Sequence, residues 1–318
     1  MNIEKVRDKN FIYAVNYETI IASLSLTNSQ ALSLFSTISS SVSLYEPLIL
    51  HVALYSEVFG VSSTLLIDTY LVVKKEFLAL KSNEYIITPL DEWYPYELLK
   101  TPLPPPFLYL KGDVSLLKEP LVAITGSVSP TDQGSLVTKE AVRELVRHNI
   151  AVVSGLNKGI EGIAHLETLR NKGKAVALLS SPLHEVSYPP HASLQSFIGE
   201  EGLLVTPFAP TRRGKRWFVS IQKELLAHIA HSVIISEERD GGGGVKCAIH
   251  SLNDHKSTYI FQHTHLDRSL LWPRKVERSP YLKVIKRESI DFTHLIRPVK
   301  KNKKKITETE IQLSLFDE

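Results

Sequence analysis

Residues 121–164 constrain this chain more than any other stretch. An apolar run at 121–124 stops at Thr125-Gly126-Ser127, and a helix-length segment, 135–148, follows it. There Leu136, Val137, Ala141, Val142, Leu145 and Val146 recur near helical spacing. A second apolar run, Ala151-Val152-Val153, stops at Ser154-Gly155. Unbroken apolar runs are strands covered on both faces, and a helix-length crossover makes such strands parallel neighbours. The pattern predicts β–turn–α–β–turn–α, the building unit of a doubly wound α/β sheet. Ligands of such sheets lie beyond the carboxyl ends of the strands, where both Gly-Ser pairs fall.

The alternation continues through residues 119–265. Helix is expected at 160–171, strand at 175–179, and helix at 191–198 after the turn Tyr188-Pro189-Pro190. A strand at 202–205 leads into a basic loop, 211–217, and a helix at 220–230. A strand at 232–235, a glycine loop at 241–244, a helix to 253 and a strand at 259–261 complete six parallel strands. Residues 1–85 differ: they are rich in Ser, Leu, Ile and Val, hold one glycine, Gly60, and read as a small helical domain with helices at 17–38, 47–59 and 63–82. Residues 86–118 read as a proline-rich connector between the two, stiffened by Pro102, Pro104, Pro105 and Pro106, with a short strand at 107–110. A mixed extension (266–298) and a basic linker with a terminal peptide (299–318) follow.

A hydrophobic share of 43% and a charged share of 22% are those of a globular protein. The single cysteine, Cys247, excludes an internal disulfide and a multi-thiolate zinc site. Charged residues Glu4, Lys5, Arg7, Asp8 and Lys9 stand where a signal peptide needs an apolar segment, and no run is long enough to span a bilayer, so the expectation is a cytoplasmic protein without membrane contact. The net charge of +3 identifies no partner by itself; its distribution carries more.

Glycine lets backbone approach a phosphate, and the N–H groups of a first helical turn bind the anion. Three turns on one sheet edge therefore predict a phosphate-binding rim: Gly126-Ser127, then Ser154-Gly155 with Lys158-Gly159, then Gly241-Gly242-Gly243 with Lys246. The spacing fits neither a G-x-G-x-x-G dinucleotide turn nor a P-loop, and no cofactor is expected. Arg212, Arg213, Lys215 and Arg216 share a loop with Trp217 and Phe218, and Lys223 follows on the next helix. Cations neutralise phosphates while aromatic rings stack on unpaired bases, a pairing suited to single strands. No catalytic set emerges: Glu161 and His165 share a helix face, but packing of His165 is the favoured reading. His250, His255, His263 and His265 lack a metal-ligand pattern, so no metal is expected.

VAITGSVSPTDQG, VVSGLNKGIEGIAH, the YPP turn, GLLVTPFAP-TRRGKRWF, the GGGG loop and the connector YPYELLKTPLPPPFLYLKGD resemble the DNA-processing protein A (DprA/Smf) family. The resemblance covers about residues 90–263. It implies a Rossmann-like domain, binding of single-stranded DNA in recombination, DNA uptake (competence) or repair, transfer of that DNA to the recombinase RecA, and a homodimer. The chain departs from the family at Val128, where the family carries a phosphate-contacting Arg, and at Glu161, where it carries Asp. Ile221-Gln222-Lys223 stands near the family's R-N-R, and Gln262-His263 replaces its Pro-Gly. The rival reading is a nucleotide-binding sensor or hydrolase, because DGGGGVKCAIH resembles the G-G-x-G-T-x-x-E loop of the related LOG-like phosphoribohydrolases. Val245 and Ala248 occupy the Thr and Glu positions of that loop, which removes the carboxylate its chemistry needs.

The tail ends in Gln312-Leu313-Ser314-Leu315-Phe316, which resembles the bacterial sliding-clamp-binding pentapeptide. Gln312 would hydrogen-bond, and Leu313, Leu315 and Phe316 would anchor in a preformed pocket. The sliding clamp is accordingly an expected partner.

Overall fold

The computed structural model describes residues 3–293. Its centre is a nine-stranded sheet. The strands are β1 (Glu84–Ile87), β2 (Leu108–Gly112), β3 (Leu121–Thr125), β4 (Ala151–Gly155), β5 (Ala175–Leu178), β6 (Leu203–Thr206), β7 (Ser232–Ile235), β8 (Ser257–Phe261) and β9 (Leu282–Ile285), in the order β1-β2-β6-β5-β4-β3-β7-β8-β9. From β6 to β9 all neighbours are parallel, whereas β1 and β2 close the other edge antiparallel. The chain winds outward from β3 through β4, β5 and β6, then returns to place β7 on the other side of β3. That reversal parts the loops after β3 and β7 and opens a crevice between them.

Alternation along the strands assigns the two faces. On β5, Val176 and Leu178 join the layer that holds helices α8 (Phe218–Ile229) and α9 (Gly243–Asn253). Ala175 and Ala177 face the opposite layer, with α7 (Ala192–Glu201) and the N-terminal helices. Helices α5 (Asp132–Arg147) and α6 (Ile160–Arg170) cover β3 and β4 with Val137, Ala141, Leu145, Ile160 and Ala164. The N-terminal helices are α1 (Ile3–Leu24), α2 (Asn28–Ser39), α3 (Val52–Phe59) and α4 (Ser63–Leu78).

Three local expectations are corrected. The helix expected at 17–38 is broken: Ser25 takes a positive φ of 55°, and Thr27 starts α2 with a reciprocal capping box to Gln30. The segment read as a connector belongs to the sheet: its expected short strand is β2, whose pairing with β6 buries Leu108, Tyr109 and Leu110, and β1, not expected, pairs with β2 at the edge. Helix α10 (Gln262–Leu266) leads into the extension, which carries α11 (Trp272–Val276) and β9, and β9 adds a seventh strand to the parallel run. The terminal peptide Gln312, Leu313, Leu315 and Phe316 and the lysine linker before it lie outside the described residues.

Candidate nucleic-acid interface

The crevice at the reversal is a cleft of about 480 Å³. The loop after β3 (Gly126, Ser127, Val128, Ser129) forms one wall and the loop after β7 (Glu238 to Gly243) the other, with Asn157, Glu161, Val219 and Lys223 at its base. A larger pocket of about 690 Å³ continues from the same loop and is mainly acidic, lined by Glu237, Glu238, Asp240 and Asp267 with Arg239 and His263. Arg239 and Asp240 line both.

The glycines divide by role. Gly126 lets β3 end against β7, since a Cβ there would meet the Glu237 carbonyl; the Ser127 amide donates to that same oxygen at 2.7 Å. The second turn is made by Gly159, whose φ of +83° and close approach to the Ser127 and Val128 backbone leave no room for a side chain. Ser154 and Gly155 are instead part of β4 and buried. The Ser154 hydroxyl donates to the Ile124 carbonyl, and Gly155 clears space for the Glu161 carboxylate and the Gln222 amide. Their expected place on the rim is corrected: β4 runs two residues further than its apolar run shows. Gly242 caps α9, Gly241 has φ +76°, and Gly243 opens that helix. α6 and α8 start without a side-chain cap, whereas Thr131 caps α5 and the Glu238 carboxylate accepts from the Gly244 amide in the first turn of α9. Uncapped N-termini hold donors that an anion can satisfy.

Lys223 also departs from expectation. Its side chain is 6% exposed, and its ammonium pairs with Glu161 and donates to Thr125 Oγ1 at 2.9 Å. Burial alone would raise the Glu161 pKa, yet Lys223, with hydrogen bonds from Thr125 and Asn157, holds it below the usual carboxylate range. The pair is neutral as a unit, so Lys223 shapes the cleft base and adds no net charge to the surface. The other carboxylates of this edge are also engaged. Glu238 accepts from the Arg239 and Gly244 amides at 2.9 and 2.8 Å, and burial raises its pKa. Glu237 accepts from the Thr131 amide at 3.0 Å, and Asp240 from the Trp272 amide at 2.7 Å.

The basic loop separates in the same way. Arg212 makes a two-point contact with Glu18 of α1 at 2.9 and 3.2 Å, and Arg213 reaches Glu76 of α4 at 3.7 Å. Both point toward the N-terminal helices because those helices present carboxylates under the loop. Phe218 is buried and stacks on Phe208 with centroids 3.8 Å apart, so its ring is not offered to a base. Lys215, Arg216 and Trp217 are exposed, and among the described residues neither cation has an ion pair. Trp217 meets the edge of Phe218 and remains 55% exposed at the head of α8, next to the cleft. Lys158 and Arg239 are likewise exposed and without an ion pair among the described residues, and Lys246 donates to Ser220 Oγ at 3.2 Å.

Two residues of this edge are not apparent from the motifs. Arg239 sits between carboxylates in the sequence, and only the end of β7 beside a glycine loop marks it. Asn157 bridges Glu161 and Gln222 at 2.8 and 3.2 Å. His165 is fully buried with neither ring nitrogen hydrogen-bonded to a side chain, and burial pushes its pKa down to about 4 despite the nearby Glu161 charge. It packs, as expected, but it does not face the cleft as a base.

Residues 85–271 match the family model described as DNA recombination-mediator protein A. That is more than half the chain. The chain belongs to this family. Over 179 residues it is 28% identical to the DNA processing protein DprA of Streptococcus pneumoniae, covering 56% of this chain and 63% of that protein. Over 169 residues it is 30% identical to protein Smf of Synechocystis, covering 52% of this chain and 42% of that one. The similarity thus spans less than two thirds of either relative. The solved structure of the pneumococcal DprA superposes with a TM-score of 0.69 at 23% identity, covering 85% of this chain and 94% of the other. The Helicobacter pylori DNA processing protein A, described by its single-stranded DNA binding mode, gives 0.55 at 22% identity over 64% of this chain and 90% of that one. Both likenesses establish the shared fold. The family match agrees with the resemblance read from the motifs. Among the described residues no helix is long and apolar enough to cross a membrane.

Proposed function

We propose that the cleft edge binds single-stranded DNA without catalysing a reaction on it. The observation that carries this reading is a sorting of charge. Arg212 and Lys223 are drawn inward by buried carboxylates, and Arg213 is held at the surface by Glu76. Lys158, Lys215, Arg216 and Arg239 stay exposed without an ion pair among the described residues: Arg239 lines the cleft, Lys158 follows its lining residue Asn157, and Lys215 and Arg216 stand on the loop that leads into α8, whose Val219 lines it. Phosphates would lie along these cations and the start of α6, with Trp217 stacking on a base. Arg239 lines the cleft together with Val128 and supplies the guanidinium that the family's Arg would supply at 128.

RecA as recipient of the DNA, a homodimer, recruitment to the sliding clamp through Gln312 to Phe316, and a cytoplasmic location complete the reading; they rest on the resemblance and on the sequence. The domain division at about residues 85 and 118, and again near 265, belongs to it as well.

The test is affinity for oligo-dT across a salt series. K215A/R216A should lower affinity and reduce the slope of log K against log salt by about 0.7 for each phosphate that is no longer neutralised. W217A should cost about 1–3 kcal/mol with little change in slope. Unchanged affinity and slope in K215A/R216A/W217A would overturn the proposal. Saturable binding of a mononucleotide in preference to oligo-dT would favour the nucleotide-sensor alternative.

A further inference from the structure

We propose that Glu224, His228 and His250 form a binding site for a divalent ion of the zinc class. Glu224 and His228 stand one turn apart on α8, and His250 projects from the adjacent α9. One ligand atom from each lies within 4.8 Å of the others. The histidine spacing in the sequence does not reveal this, because the helix pair brings together residues from separate strand–helix units.

The second observation is the orientation of His228. Its Nδ1 lies 2.7 Å from Asp254 Oδ2, which fixes the proton on Nδ1 and leaves the Nε2 lone pair toward Glu224 Oε1, 3.8 Å away. A carboxylate behind a metal-ligating imidazole sets the tautomer and raises ligand basicity. The neighbouring cation, Lys256, is held away from the ligand side: its ammonium donates to the Ala227 and His228 carbonyls and is balanced by Asp254 and Glu97 at 3.4 and 3.8 Å. Two imidazoles and one carboxylate without sulfur suit zinc with water in the fourth position, whereas calcium and magnesium ask for oxygen ligands. Ligand atoms on a tetrahedral zinc stand roughly 3.4 Å apart, so the Glu224–His228 spacing needs little adjustment. Glu224 is half exposed and free to close on the ion. The site lies toward the C-terminal ends of α8 and α9, while their N-termini flank the cleft. A bound ion would therefore staple the helix pair from the far end.

The untagged full chain, stripped of metal, is titrated with Co²⁺ and followed by visible absorption. One equivalent with the intense bands of a four-coordinate site, displaced by Zn²⁺, is expected. H228A/H250A should lose at least tenfold in affinity, and D254N should lose about 10–100-fold although every ligand remains. E224Q, at an exposed position, carries the same test should the double variant fail to fold. Oligo-dT affinity of E224Q should match the parent, which separates this site from the DNA reading. Binding below one equivalent, weak six-coordinate absorption, or equal affinity in the ligand variants would overturn the assignment.

Discussion

Lys223 and Glu161 are 62 positions apart in the chain, yet they share one buried contact at the base of the cleft. Removing one partner leaves the other charge uncompensated, so K223M should destabilise the fold by about 3–5 kcal/mol, and K223M/E161L should recover most of it. Urea unfolding of the three proteins measures this. His165 sets a pH dependence of the opposite origin. Burial lowers its pKa from 6.5 to about 4, so the unfolded state takes up the proton first and stability falls as pH drops from about 6.5 toward 4. By linkage the loss reaches about 3 kcal/mol at most. His231 and His263, also lowered by burial, add to the same slope, while Glu161, held below its usual range, contributes only at lower pH. H165M should flatten the slope between pH 6.5 and 4; an unchanged slope would remove His165 as its source. Residue type alone made the glycines and cations of this edge visible. It did not reveal which cations are already paired, because Glu18, Glu76 and Glu161 meet their partners only through the fold.

The parallel strands were legible as elements because each is an unbroken apolar run with a helix-length crossover. β1 and β9 were less so, for a physical reason. Four-residue strands at the sheet edges carry mixed polarity, as Glu84 and Lys283 show, and only pairing with a neighbour defines them. The same limit hid the true second turn. Ser154-Gly155 ends the apolar run, but Gly159 makes the bend that brings the start of α6 against Ser127. G159A must hold φ near +83° and push against the 127–128 backbone. It should cost more than about 1–2 kcal/mol and weaken oligo-dT binding by displacing Lys158 and the α6 N-terminus. Thermal unfolding with a salt-controlled binding curve checks both; a variant as stable as the parent would show that the turn tolerates a side chain.

At the scale of the whole molecule, the net charge of +3 reflects two populations of cations rather than a basic surface. One population holds the molecule together. Arg212 and Thr211 converge on Glu18 of α1, Gly214 donates to Glu185 at 2.9 Å, and Asn10 of α1 donates to Asp91 and to the Ile86 carbonyl at 2.9 Å each. The loop that offers Lys215, Arg216 and Trp217 to solvent is thus the same loop that fastens the N-terminal helices to the sheet. Anchoring and display are done by adjacent residues, so single substitutions should separate them. R212A leaves Glu18 buried without its partner and should lower stability by about 1–3 kcal/mol, while the folded protein keeps its oligo-dT affinity. K215A/R216A should do the reverse: its unfolding midpoint stays within the scatter of surface changes, about 0.5 kcal/mol, and its affinity falls with a shallower salt slope. Urea unfolding and fluorescence anisotropy on the same preparations give both quantities. Equal effects of the two variants on both would mean that the loop acts as one unit, and that the division between anchoring and nucleic-acid contact does not hold.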